Sequence, residues 1–156
     1  MWEDDLHDFG TARLLIAHAR SAFRDEGICV ENNMPFSDGH SVFVFNGELR
    51  GVRINSEGRI GAEKIYNYIR KLDRGNRLEA LKKAVTIITK RTRYVRAMNI
   101  IMSDGTETQV SCNYSEDPAY FQLRQTVLGD RRIVCSMPYP QTGQWDTIAD
   151  GTSFSL

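Results

Sequence analysis

The sequence predicts an α+β fold, and three observations carry the prediction. β-rich segments come first, two consecutive stripes of helical period occupy the middle, and a run of short β-rich segments separated by turn residues completes the chain. Ser41-Val42-Phe43-Val44-Phe45 is β-branched and aromatic and stops at Asn46-Gly47, a pair suited to positive φ, so a strand ending in a sharp turn is expected. Upstream, the apolar run Arg13 to Arg20 fits a buried strand with a polar end at His18 and Arg20. Between them, Asn32-Asn33-Met34-Pro35-Phe36-Ser37-Asp38-Gly39 has loop composition.

From Ala62 the period changes. Ala62, Ile65, Tyr66, Ile69 and Leu72 recur at helical spacing, opposite Glu63, Lys64, Asn67 and Arg70. Asp73-Arg74-Gly75 interrupts this helix, Asn76 is placed to cap the next, and Leu78, Leu81, Ala84, Val85 and Ile88 form a second stripe. Tyr94 to Met102 reads as a strand closed by the hairpin turn Ser103-Asp104-Gly105-Thr106, with Thr108 to Tyr114 returning. Further strands are expected at Phe121–Arg124, Arg132–Cys135 and Thr152–Leu156.

The 156 residues form one domain on this reading, with no repeat, low-complexity tract or linker-like break. Hydrophobic residues make up 41% and charged residues 26%, the composition of a folding chain and not of a disordered one. Twenty basic residues balance twenty acidic ones, so no overall field recruits nucleic acid or an anionic membrane. No apolar stretch reaches the ~20 residues a bilayer span needs, and the acidic start is unlike a signal peptide, so a cytoplasmic protein is expected. Cys29, Cys112 and Cys135 are odd in number and far apart, which favours reduced thiols.

Local motifs are sparse. Phosphate loops, HExxH and GxSxG patterns and clustered metal ligands are absent, so neither metal nor cofactor is expected. Lys90 to Arg96 is the one basic run; it reads as cations at a helix C-terminus followed by a strand start, the alternative being a nucleic-acid patch. His18 and Arg20 share a face of a regular strand, where the guanidinium could hold a carboxylate or simply make a surface ion pair. Asn46-Gly47 is either an ordinary turn or a pair of donors, side-chain amide and backbone N–H, for a developing oxyanion. Cys112 and Cys135 lie within strand patterns, as packing residues.

Taken in order, Ala17-His18-Ala19-Arg20, Asn33-Met34-Pro35-Phe36 and Phe43-Val44-Phe45-Asn46-Gly47-Glu48-Leu49 resemble the AH-x-R, N-x-PF and HNG stretches of the class II glutamine amidotransferases. Asn99 to Gly105, Asp117-Pro118-Ala119-Tyr120-Phe121, Val134 to Pro138, Trp145 and Ile148 to Thr152 look like later parts of the same glutaminase domain, so the likeness runs from about residue 11 to the C-terminus. The resemblance implies a four-layer αββα sandwich of the N-terminal-nucleophile hydrolases, here without its N-terminal strands. It also implies hydrolysis of the glutamine side-chain amide by a cysteine whose own α-amino group is the base. Carried over by motif, Arg20, with His18 beside it, would bind the glutamine α-carboxylate, while the Asn46 amide and the Gly47 N–H would form the oxyanion hole.

The sequence also departs from that pattern. It begins Met-Trp where the family has Met-Cys, and only sixteen residues precede Ala17, so the resemblance implies that the nucleophile lies on a missing or separate segment. Ile60-Gly61-Ala62-Glu63 lacks the family's Asp, Phe45 replaces a His, Phe23 a Thr, and Met137 stands where the family has Glu. Two functions follow: one part of a split glutaminase, or a non-catalytic relative acting as a subunit or interaction module. Either one implies a protein partner, or self-association, that covers an open sheet edge, with glutamine or glutamate as the small-molecule ligand.

Overall fold

The computed structural model describes residues 11–19, 28–138 and 143–156. Its backbone is built on one long antiparallel pair. Strand β2 (Val42–Val52) runs against β3 (Thr92–Ser103), from Val42 opposite Ser103 to Val52 opposite Thr92. A short β1 (Phe36–Ser37) flanks the start of β2, β4 (Thr108–Cys112) returns beside β3, and β8 (Thr152–Ser155) pairs with β4, giving a five-stranded sheet in the order β1-β2-β3-β4-β8.

Side-chain alternation divides that sheet into two faces. Phe43, Met98, Ile100 and Met102 lie on one of them, buried under α1 (Gly61–Leu72) and α2 (Arg77–Lys90). Ala62, Ile65, Tyr66 and Ile69 of α1 and Ala80, Leu81, Ala84 and Ile88 of α2 supply the helical half of this core, with Tyr66 stacked on Phe43 at 5.0 Å between centroids. Asn76 caps α2 as its sequence position predicts, accepting from the Glu79 N–H at 3.0 Å.

The opposite face carries a second, smaller core. Val110 and Cys112 of β4 meet Leu123 and Ile148, with Val134 and Phe154 packed alongside. Phe154 lies on β8 of the same sheet, whereas Leu123, Val134 and Ile148 belong to or flank a three-stranded sheet of order β6-β5-β7, formed by β5 (Arg124–Leu128), β6 (Arg131–Cys135) and β7 (Asp146–Thr147). The described residues thus stack as helix pair, large sheet and small sheet.

Four expectations from the sequence are corrected. The strand expected from Arg13 is absent: residues 11–19 contain no strand and are largely exposed, Leu15 by 82%, because no neighbouring strand pairs with them among the described residues. Asn46-Gly47 makes no turn; β2 passes straight through it, since both residues have cross-strand partners in Asn99 and Met98. Phe121 ends a short helix, α3 (Pro118–Phe121), and the strand begins only at Arg124; Pro118 at the first helical position starts that turn. The return strand stops at Cys112, leaving Tyr114 in a single bridge to Ala97.

Asp38 fixes the entry to β2. Its carboxylate accepts from the His40 and Ser41 amides at 2.9 and 2.7 Å and pairs with Arg70 of α1 at 2.7 Å. Burial pushes the carboxyl up, but the two amides and the Arg70 charge outweigh it and hold the group at about 2. A carboxyl whose folded pKa lies below its unfolded one stabilises the fold above the unfolded value and loses that contribution as pH falls through the folded one. Asp38→Asn is therefore expected to lower stability at neutral pH by about 1–2 kcal/mol, after allowance for solvent screening of the half-exposed Arg70. Urea titrations at pH 6 and pH 2 check this: the gap between variant and wild type should narrow between pH 4 and 2, and a constant gap would show that the carboxylate charge is immaterial.

Candidate active site

Gly47 occupies the tightest place on β2. A Cβ built there would stand 2.1 Å from the Ala97 carbonyl oxygen, so only glycine lets the two backbones approach this closely. Just beyond it the ladder slips, Glu48 pairing with Ala97 but Leu49 with Val95, which leaves Arg96 as the extra residue of a β-bulge.

The direction of the Gly47 N–H follows from its neighbours. Phe45 turns both backbone groups away from β3: its N–H donates to Met34 Sδ at 3.2 Å, and its carbonyl accepts from His18 Nε2 at 3.1 Å. Met98, opposite Gly47, donates its N–H to Asn113 O at 2.7 Å on the β4 side. In an antiparallel ladder residues two apart point their backbone groups the same way, so the Gly47 N–H also faces the outer edge of β2. Among the described residues that edge has a strand beside it only at Val42 and Phe43.

Asn46 projects to the face that carries the small sheet, directly opposite Asn99. Asn99 is committed to structure, donating from Nδ2 to Phe121 O at 2.5 Å and accepting the Asn113 N–H at 2.9 Å. Asn46 instead lines a cleft of about 910 Å³, together with Gly47, His18, Met34, Glu48, Arg96, Tyr120 and Phe121. The apolar wall continues along Leu49, Ile54, Ile60 and Ile65. The structure therefore brings Asn46, Gly47 and His18 to one cavity. Arg20 lies outside the described residues.

Glu48 and Arg96 line the same cleft; in the sequence Glu48 stands only within the Phe43–Leu49 stretch and Arg96 only as the end of the basic run, neither as a site residue. Glu48 Oε1 accepts from Arg50 Nε at 2.7 Å and Oε2 from Arg96 Nη1 at 3.1 Å, which holds the carboxyl below its usual range. Alternation alone could have found Glu48, two residues from Asn46 on the same face. Arg96 could not be found that way, because the bulge re-aims it.

No cysteine among the described residues lines the cleft. Cys29 is exposed, while burial pushes the thiols of Cys112 and Cys135 up, away from the reactive thiolate form. Among the described residues no three His, Cys, Asp or Glu side chains are grouped to hold a metal. Among the described residues no helix is long and apolar enough to cross a membrane.

No family model and no curated protein matches the sequence. Solved structures do match. A glutamine aminotransferase class-II domain protein from Silicibacter pomeroyi superposes with a TM-score of 0.64 at 16% identity over 78% of this chain. A predicted glutamine amidotransferase from Pseudomonas aeruginosa gives 0.57 at 15% identity over 81%. The glutamine phosphoribosylpyrophosphate amidotransferase from B. subtilis, complexed with ADP and GMP, gives 0.53 at 17% over 76%. The chain spans 66%, 62% and 26% of those proteins' own lengths.

Gly47→Ala is expected to destabilise the fold by about 1–3 kcal/mol, because the methyl group must displace the Ala97 backbone. Gly61→Ala, on the same cleft but with open space at its Cβ, should be neutral or slightly stabilising. Chemical denaturation of both variants checks the pair, and equal effects would remove the close approach as the cause. With two helices on one face of an antiparallel sheet, a second sheet on the other and those structural neighbours, the chain has the fold of class II glutamine amidotransferase domains.

Proposed function

We propose that this chain is a class II glutamine amidotransferase-like domain that binds glutamine and, with a nucleophilic cysteine supplied by a segment or polypeptide outside the described residues, hydrolyses its side-chain amide to glutamate and ammonia. One observation carries the reading: on a fold of this type, Asn46, whose side chain alternation sends to the small-sheet face, and Gly47, whose N–H points to the outer edge of β2, line the same cleft. They are two neutral donors on a rigid paired strand, the arrangement that stabilises charge developing on an amide oxygen. The finer architecture of the proposal is a four-layer αββα sandwich in which further strands cover the outer edge of β2. Such strands would bring the cysteine beside Gly47, and Arg20 would take the substrate α-carboxylate.

The roles follow from the chemistry. A thiolate attacks the side-chain carbonyl carbon, the carbonyl π electrons move onto oxygen, and that oxyanion accepts from Asn46 Nδ2 and the Gly47 N–H. Collapse expels ammonia, which takes its proton from the cysteine's α-ammonium group, and water then cleaves the thioester to glutamate. Because the two donors act on charge present only in the tetrahedral intermediate, their loss lowers kcat more than it weakens binding.

Three outcomes are expected. The isolated chain releases no glutamate from glutamine above a buffer blank, and a diazoketone analogue of glutamine leaves Cys29, Cys112 and Cys135 unalkylated. L-glutamine added at millimolar concentration shifts the amide resonances of Asn46 and Gly47 saturably. In a reconstituted active complex Asn46→Ala lowers kcat by ~10²–10³ without weakening association. Absence of any saturable shift in the folded chain would overturn glutamine recognition and leave an interaction module. An active complex indifferent to Asn46→Ala would overturn the oxyanion assignment.

A further inference from the structure

We infer that Arg96 is a positioning residue for the cleft, holding α3 as its aromatic wall. The inference rests on the reading of the Asn46–Gly47 cleft as the ligand site, and it goes further by naming what sets the shape of that cleft.

Arg96 is the residue skipped by the register, and the bulge aims its guanidinium across the mouth of the cleft. It reaches both sides at once. Nη1 donates to Glu48 Oε2 on β2 at 3.1 Å; Nε donates to Asp117 Oδ2 at 2.9 Å, Nη2 donates to the same oxygen, and the guanidinium carbon lies 5.4 Å from the centre of the Phe121 ring. Glu116 adds a third carboxylate at 4.0 Å. One cation thus joins the strand bearing Asn46 to the turn bearing Tyr120 and Phe121.

What it holds would not settle there unaided. Asp117 has φ 49 and ψ 58, the only non-glycine residue at positive φ among the described residues, and it precedes Pro118. Left-handed backbone at a residue before proline is disfavoured by contact with the proline ring. Yet this conformation turns the Asp117 carbonyl to accept the Tyr120 and Phe121 N–H groups at 2.9 and 3.0 Å, which closes α3. Phe121 is buried, and Tyr120, packed edge-on against it at 4.8 Å, is 60% exposed on the cleft side. Asn99 secures only the far end, through Phe121 O. Arg96 secures the end where the backbone is disfavoured.

The Arg96→Gln and Arg96→Lys variants, with Asn99 intact, test this by amide hydrogen exchange together with L-glutamine titration. In Arg96→Gln, exchange at Tyr120 and Phe121 should accelerate tenfold or more while Ile100 and Val110 keep the wild-type rate, and the Gly47 amide resonance should move. Arg96→Lys, which keeps the charge but cannot span Glu48 and Asp117, should fall between the two. Glutamine affinity should drop at least fivefold in Arg96→Gln. Exchange at Tyr120 and Phe121 within twofold of wild type would overturn the inference, since Asn99 alone would then hold the wall. A uniform rise that includes Ile100 and Val110 would also overturn it, as the sign of a merely structural residue. The localised exchange change in Arg96→Gln, together with no glutamine binding by the wild-type chain, would keep Arg96 as the wall's anchor and remove the glutamine reading instead.

Discussion

The contact between the backbone at Gly47 and the Ala97 carbonyl is the constraint on which the rest of the structure depends. It lets two long strands stay in register over Val42–Glu48, and the ladder slips immediately afterwards. That slip ejects Arg96 from the alternating pattern and sends it across the cleft. On the near side of the contact the regular alternation decides everything else: Phe43 goes to the helices, Asn46 to the sheet interface, and the Gly47 N–H to the outer edge.

The two faces of the large sheet do different work. Toward α1 and α2 the contacts are apolar and well buried, and this side carries most of the stabilising burial. Toward the small sheet the middle of β3 presents Asn99, whose amide nitrogen and oxygen each find a backbone partner, at Phe121 and Asn113, so a buried polar side chain fixes the loops around the cleft. A rigid apolar side supports a polar side that can be shaped by individual hydrogen bonds. This division suits a site in which neutral dipoles must already be in place when charge develops.

Much of this was legible in the sequence, and the failures have identifiable causes. The helical stripes through Ile65, Tyr66 and Ile69 and through Leu81, Ala84 and Ile88, the Asn76 cap and the Ser103–Thr106 hairpin are local patterns, and the structure follows them. Asn46-Gly47 has an equally strong local preference for a turn, but partners on β3 override it; propensity cannot see a neighbouring strand. The apolar run at Leu14 and Leu15 failed in the opposite sense, since hydrophobicity alone does not make a strand without an edge to pair with. For the candidate site, Asn46, Gly47 and His18 came from ordered short motifs and do meet at one cavity. Arg96, Tyr120 and Phe121 depend on a bulge and on a backbone turn at Asp117, neither of which a periodic pattern records.

The presence of two cores on opposite sides of one sheet also bears on how the molecule comes apart. The small sheet is joined to the large one through a short set of apolar contacts around Val110, Cys112, Leu123 and Ile148, whereas the helices share a core several times more populous. Detaching the small sheet exposes far less apolar surface than global unfolding, so it is expected to open as a cooperative unit of lower free energy. Its opening carries a correspondingly shallow dependence on denaturant, because that slope scales with the area newly exposed. Native-like helical signal can therefore outlast the integrity of the cleft, and the last structure to melt is the ladder that aligns Asn46 and Gly47.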